Sequence, residues 1–417
     1  MATPKKKPKG VKVPFDLHAG VTARWQVELG LAGYTLLMDA SAESVAWVDA
    51  EQRVHLVSLA DGVPLPLSGA LADAKAERSI RFSPDGRRLA VLNVEQEGRE
   101  FTGEVAIFEL AEGGNSRLVS RAVVPRWSTA THGGTGSAPL MVFQPDGARL
   151  FVRSTFMNDE GESIVTIIDV ESGAVDVFDF PNCVDTLFDL AVHGDRLYAL
   201  FGAPGDDAGL RVFALGGSLR EVARSKWCSG DALVIGAHGA WGVGGPTWCH
   251  RFDESGSAPQ PTAALAEAMV RGAKEREARR KELLARAKSA WERQHLESCA
   301  NDWTSLNVAF AGGVSVAQQP DPEPGLRSYR NPGVSLFALA QPFKEDDVVI
   351  CDGYQIALWK ERDGHLEVTR LVDDVQRAVQ HGRLLDVRVV GSRLAVGWRK
   401  ARSSMATTLT CFDLADL

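Results

Sequence analysis

The chain has 417 residues, 45% of them apolar and 24% charged, which is an ordinary globular balance with ample material for a large core. Its formal net charge of −8 gives the protein as a whole no attraction to nucleic acid or a membrane surface, so such a role would need a local basic patch. No run of about 18 apolar residues occurs, so no spanning helix is expected.

At the N-terminus, Lys5, Lys6, Lys7, Lys9 and Lys12 lie among prolines and no apolar stretch follows them, unlike a secretory signal. Residues 1–20 are therefore expected to form a disordered basic tail, and the protein to be cytoplasmic. Six cysteines, Cys183, Cys228, Cys249, Cys299, Cys351 and Cys411, show no C-x-x-C pair and no zinc-like spacing with histidine. Reduced, mostly buried thiols are expected, with no metal and no cofactor.

In chain order, an isolated strand pattern at Ala23–Leu29 comes first, and a recurring unit begins at Tyr34. Val54–Gly62 alternates apolar and polar residues and ends in an Asp-Gly turn. Arg81–Leu92 and Val142–Arg153 match each other closely: each is an apolar strand, a Pro-Asp-Gly turn and a second strand. Proline presets the turn's φ and glycine accepts a positive φ, so each pair folds as a hairpin. Looser copies follow at Leu190–Leu200, Val234–Val243 and Val387–Val396. A third alternating strand recurs after the hairpins at Val105–Gly113, Val165–Gly173, Leu210–Gly217 and Ile356–Gly364. Short fourth strands stand at Ala174–Phe180 and His365–Leu371.

Four strands per unit, with units about 40 to 60 residues apart, is the pattern of a β-propeller. The last unit stops at its third strand, Leu409–Leu417, and the unassigned Ala23–Leu29 can supply the missing fourth. The expected fold is all-β: a single β-propeller of about seven four-stranded blades over 21–417, its ring closed by an N-terminal strand. Phe82-Ser-Pro-Asp-Gly86 and Phe143-Gln-Pro-Asp-Gly147 resemble the WD40-like repeats, of the Pro-Asp-Gly hairpin type, found in bacterial propellers. The resemblance covers about three quarters of the chain, although the Trp-Asp dipeptide of true WD40 repeats does not occur. It implies the fold and leaves function open.

Two stretches interrupt the pattern. Residues 261–298 are rich in helix formers, with Leu283, Ala287 and Trp291 spaced by four, and read as an α-helical insertion within the propeller. Between Arg271 and Arg293 nine Lys/Arg face four Glu, a local charge of +5. Arg271, Lys274, Arg276, Arg279, Arg280, Lys281, Arg286, Lys288, Trp291 and Arg293 are the candidate partner-binding residues. The competing reading is a solvated face with i,i+4 pairs such as Glu277 with Lys281. Residues 318–333 form a proline-rich loop.

No nucleophile elbow, P-loop, zinc-protease or dinucleotide motif is present. His132–Ser137 is glycine-rich, but no lysine or helix start follows it. Asp189, Asp231 and Asp386, at the starts of first strands, are sparse candidates for a catalytic ring around a central channel. A non-enzymatic scaffold or subunit of a larger bacterial assembly is expected, holding a protein partner, an acidic one in particular, and no membrane. One alternative is a nucleic-acid-associated subunit using the basic arm, with Trp227, Trp241, Trp248 and Trp303 near it. The other is a metal-dependent hydrolase or lactonase-type propeller.

Overall fold

The computed structural model describes residues 11–31, 36–49, 51–67, 78–97, 100–110, 116–124, 141–156, 162–180, 186–202, 209–216, 218–225, 232–236, 239–244, 248–251, 308–310, 313–315, 339–343, 347–351, 356–362, 365–373, 383–399 and 406–414, with the single positions 281 and 285. Almost all of these are strand or turn, so the protein is all-β. The strands form successive antiparallel meanders, and the sheets are numbered here in chain order. Sheet I holds Leu37–Ala40, Ser44–Val48 and Val54–Ser58. Sheet II holds Arg78–Phe82, Arg88–Glu97, Glu100–Leu110 and Ser116–Val124. Sheet III runs from Met141–Phe143 to Val175–Asp179, and sheet IV from Thr186–His193 to Leu219–Ser225. Sheet V has three described strands, Ala232–Gly236, Gly239–Gly244 and Trp248–Arg251, with the hairpin Val308–Phe310/Gly313–Ser315 against the last. Sheet VI begins at Leu339–Phe343 and sheet VII at Arg383–Val390.

The hairpins form as their turn chemistry dictates. Gly86 and Gly147 both have φ of 73°. Asp85 and Asp146 each accept the backbone N–H two residues on, from Arg87 and Ala148. Among the described residues, sheets I, II, III, IV and VII bury side chains on both faces. Ala46, Leu56, Phe82 and Val91 fill the space between sheets I and II. Leu92, Val105, Met141 and Leu150 fill that between II and III, and Phe151, Val165, Leu190 and Phe201 that between III and IV. Ile356, Val387 and Trp398 join VI to VII, while Trp25, Met38, Trp47 and Leu409 join VII to I. The first strand of each sheet lies against the first strand of the next, and that of VII lies against that of I. This is the layout of a β-propeller, with first strands innermost.

The N-terminal strand Thr22–Leu31 pairs antiparallel with the C-terminal strand Ala406–Asp413, placing the isolated strand of the sequence in the last sheet. Of the stretch 1–20, expected as a basic tail, residues 1–10 lie outside the described residues and residues 11–20 are described. Asp16–Leu17 pair with Val372–Asp373 on the outer edge of sheet VI, and Phe15 is buried edge-on against Trp398 at 5.2 Å. A buried phenyl ring offsets the ordering of this segment. The stretches expected as a helical arm, 261–298, and as a proline-rich loop, 318–333, lie outside the described residues except for Lys281 and Ala285, both helical and exposed. Among the described residues no helix is long and apolar enough to cross a membrane.

Candidate functional site

A first strand pairs with only one neighbour in its sheet, so its inner edge presents unpaired backbone groups toward the axis. At sheets I and II a carboxylate from the preceding sheet fills that gap. Asp386 Oδ2 accepts the Met38 N–H at 3.3 Å, and Asp39 Oδ2 accepts the Phe82 N–H at 2.8 Å. Asp386 sits at a β-bulge between Leu384 and Asp386, which turns its side chain out of the ladder; its Oδ1 accepts the N–H of Val387.

Arginines complete the constellation. Arg388 donates through Nη1 to Asp386 and through Nε to Asp39 at 3.2 Å. Arg81 Nη1 lies 3.5 Å from the same Asp39 oxygen. These residues share one level of the fold. Arg388 is opposite Ala395, Asp39 opposite Ala46, and Arg81 opposite Ala90 in their hairpins. The equivalent positions of sheets III and IV carry Val142, opposite Phe151, and Ala191, opposite Tyr198. The charged layer is therefore an arc over three consecutive sheets, Arg–Asp–Arg with Asp386 behind it, and not a general feature of the repeat.

Burial sets its electrostatics. Asp39 and Asp386 are each 5% exposed. Desolvation pushes the Asp386 carboxyl up to about 6, against the opposing pull of Arg388 and of the N–H groups of Val387 and Met38, while Asp39 adds repulsion. The Arg388 guanidinium is held above its usual range by Asp386 and Asp39 despite the burial that opposes it. Arg81 is different: its side chain is 30% exposed, and among the described residues its partner is the loose contact to Asp39.

A second inter-sheet pair lies between III and IV. Arg153 donates to the Leu187 carbonyl at 2.9 Å, and burial lowers its guanidinium while Asp189 opposes the shift. Asp189 stands at a bulge like that of Asp386 and accepts the N–H of Leu190 in the same way. Of the three aspartates singled out in the sequence, Asp386 joins the axial arc, Asp189 joins this separate pair, and Asp231 lies outside the described residues. Of the basic-arm candidates only Lys281 is described. Asp39, Arg81 and Arg388 were missed. Aligning the hairpins on Val45, Leu89 and Leu394, each one residue before its alanine, would have placed all three in one column. Among the described residues no group of three His, Cys, Asp or Glu side chains is placed to hold a metal ion.

No family model matches the chain, and no curated protein does. Solved structures do. The β-propeller domain of the trilobed protease of Pyrococcus furiosus is 11% identical over 92% of this chain and 98% of its own, with a TM-score of 0.45. The acylaminoacyl peptidase of Pyrococcus horikoshii is 12% identical over 89% of this chain, which spans only 51% of that protein, with a TM-score of 0.43. The periplasmic gluconolactonase of Pseudomonas aeruginosa is 15% identical over 90% of this chain and 76% of its own, with a TM-score of 0.33. The expectation of a non-enzymatic protein is withdrawn against these neighbours, which are a protease's propeller domain, a peptidase and a gluconolactonase; the likeness itself is one of fold.

Proposed function

We propose that this chain is a seven-bladed β-propeller, closed by the pairing of Thr22–Leu31 with the last sheet, that works as a hydrolase on a small substrate bound at its axis. What carries the reading is the arc of Asp39, Arg81, Asp386 and Arg388 on the inner strands of three adjoining sheets. Two carboxylates and two guanidinia close together, most of them desolvated, are suited to acid–base work on an ester, lactone or amide bond. Asp39 is the group for activating water because it adjoins the partly exposed Arg81, whereas Asp386 lies behind Arg388. In that step the water oxygen bonds to the acyl carbon and Asp39 takes one water proton, then returns that same proton to the departing oxygen or nitrogen as its bond to carbon breaks, which leaves the acid product and restores the Asp39 carboxylate. The described residues offer no set of three metal-ligating side chains, so the reading rests on the carboxylates and arginines. The seven-blade count is supported by the chain of first-strand contacts from sheet I round to sheet VII and back to I.

The test is a turnover screen with nitrophenyl esters, lactones and aminoacyl peptides, using the wild type and Asp39→Asn, with near-ultraviolet circular dichroism as the folding check. The reading expects one substrate class to be turned over and the folded variant to lose about a hundredfold or more in kcat/KM. No turnover of any class, or equal turnover by both proteins, would reject it.

A second reading rests on the charge of +5 between Arg271 and Arg293. In it, the arm docks an acidic protein surface or nucleic acid, and deleting 261–298 abolishes capture of that partner while leaving axial turnover intact.

A further inference from the structure

We propose that Arg81 is the recognition residue for a carboxylate on the ligand, which makes the substrate of the axial site a small monoanionic carboxylate-bearing molecule. The inference rests on the axial site proposed above, and it assigns a ligand class to it.

The two arginines of the arc occupy equivalent register positions but are engaged very differently. Arg388 is nearly enclosed and spends its donors on Asp386, Asp39 and the Val387 carbonyl. Arg81 shares Asp39 at 3.5 Å, beyond a well-formed charge-assisted hydrogen bond, and keeps 30% of its side chain open. A guanidinium carries five N–H donors in a planar fork, and a loose contact to one oxygen leaves most of them for another acceptor. The equivalent places in the two sheets that follow are apolar, Val142 in sheet III and Ala191 in sheet IV. A ligand held by Arg81 would therefore find no second cation at this level in sheets III and IV.

Charge decides which anion fits. With Asp386 ionised the four groups sum to zero, and the negative members lie on the Asp39 side of Arg81. A phosphate dianion held by Arg81 would stand close to Asp39 and be repelled by it. A planar carboxylate carries a single charge, matches the guanidinium fork in two parallel hydrogen bonds, and suffers about half that repulsion. Asp39 also acts as a positioning group: fixed by the Phe82 N–H and by Arg388, it holds the Arg81 guanidinium from one side without saturating it.

The experiment titrates the full chain with sodium benzoate, with benzamide as its uncharged counterpart and with inorganic phosphate at matched ionic strength, following ligand line-broadening by NMR. Wild type is compared with Arg81→Met, which keeps the length of the side chain and removes the fork; near-ultraviolet circular dichroism checks folding, and Arg81→Lys serves as the conservative variant. The expected result is benzoate binding on the order of millimolar in the wild type. It should weaken at least about tenfold in folded Arg81→Met and recover in part in Arg81→Lys, with phosphate weaker than benzoate and benzamide unbound. Equal benzoate binding by wild type and Arg81→Met, phosphate binding as tightly as benzoate, or no benzoate binding to the wild type would each overturn the proposal. If benzoate binds through Arg81 and no ester or lactone is hydrolysed, the ligand class stands and the hydrolase reading falls. If substrate is hydrolysed while benzoate binding ignores Arg81, the reverse holds.

Discussion

Replacing Asp386 with asparagine isolates what it costs the fold to hold a charge inside the axial arc. The carboxyl ordinarily titrates near 3.8 and is pushed up to about 6 by burial. A difference of about 2 units corresponds to roughly 3 kcal/mol between the protonated and ionised folded states. Because the folded pKa is raised, the folded protein binds this proton more tightly than the unfolded chain does. Between about pH 4 and 6 the unfolded chain has released its proton while the folded one retains it, so this residue's contribution to stability falls as pH rises through that window. Above it both states are ionised and the full cost persists. The amide introduced by Asp386→Asn does not titrate, and it keeps an oxygen for the Val387 N–H and Arg388 while losing an acceptor for Met38. Urea unfolding of both proteins from pH 4 to 7.5 cancels the other titrations in the difference. The stability of the variant minus that of wild type should rise by about 3 kcal/mol across the window, from whatever offset the lost acceptor sets. A difference independent of pH would show that the carboxyl is not desolvated. A falling difference would show that Arg388 and the N–H donors outweigh burial.

Two further perturbations test packing. Gly62 and Gly147 share a φ of 73°, but a Cβ on Gly62 would sit 2.7 Å from the Trp25 ring while one on Gly147 meets nothing within 4 Å. Gly147→Ala should therefore cost only the backbone strain of about 1–2 kcal/mol, and Gly62→Ala about 1–3 kcal/mol more, in paired denaturant melts. Equal losses would mean that the N-terminal strand yields freely. Trp398 is fully buried, stacks edge-on with Phe15 and donates to Thr410 Oγ1 at 2.9 Å, so Trp398→Ala should cost about 3–5 kcal/mol in the same melts. A loss below about 1 kcal/mol would indicate that sheet VII and the segment around Phe15 do not pack as described.

Much of the fold was legible because it repeats. The Pro-Asp-Gly turns at Gly86 and Gly147 fix local geometry through chemistry confined to six residues, and the alternation on either side fixes the strands. The strand around Trp25 could be paired with the last sheet from the sequence because a four-strand unit ended one strand short. Phe15 was not legible: an apolar residue in a lysine- and proline-rich stretch gives no periodic signal, and its partners Trp398 and Phe412 lie nearly 400 residues away. The axial arc was hidden for a related reason. Asp386 drew notice as an acidic residue near the start of a strand, but Asp39 and Arg388 are 349 positions apart and belong to no local motif. Only the register of three separate hairpins brings them to one level, and sheet I, lacking the Pro-Asp-Gly turn, does not announce its register in the sequence.

The meeting of Asp39 and Arg388 joins sheet VII to sheet I and anchors the proposed site, and a double-mutant cycle measures it directly. The stabilities of wild type, Asp39→Asn, Arg388→Met and the double variant give a coupling energy for a buried, hydrogen-bonded pair with an Nε to Oδ1 distance of 3.2 Å. A coupling of about 1–3 kcal/mol is expected, larger than that of an exposed ion pair because Asp39 is almost wholly removed from water. Additivity within about 0.5 kcal/mol would mean that sheets VII and I do not bring these side chains together, and the axial site would fall with them.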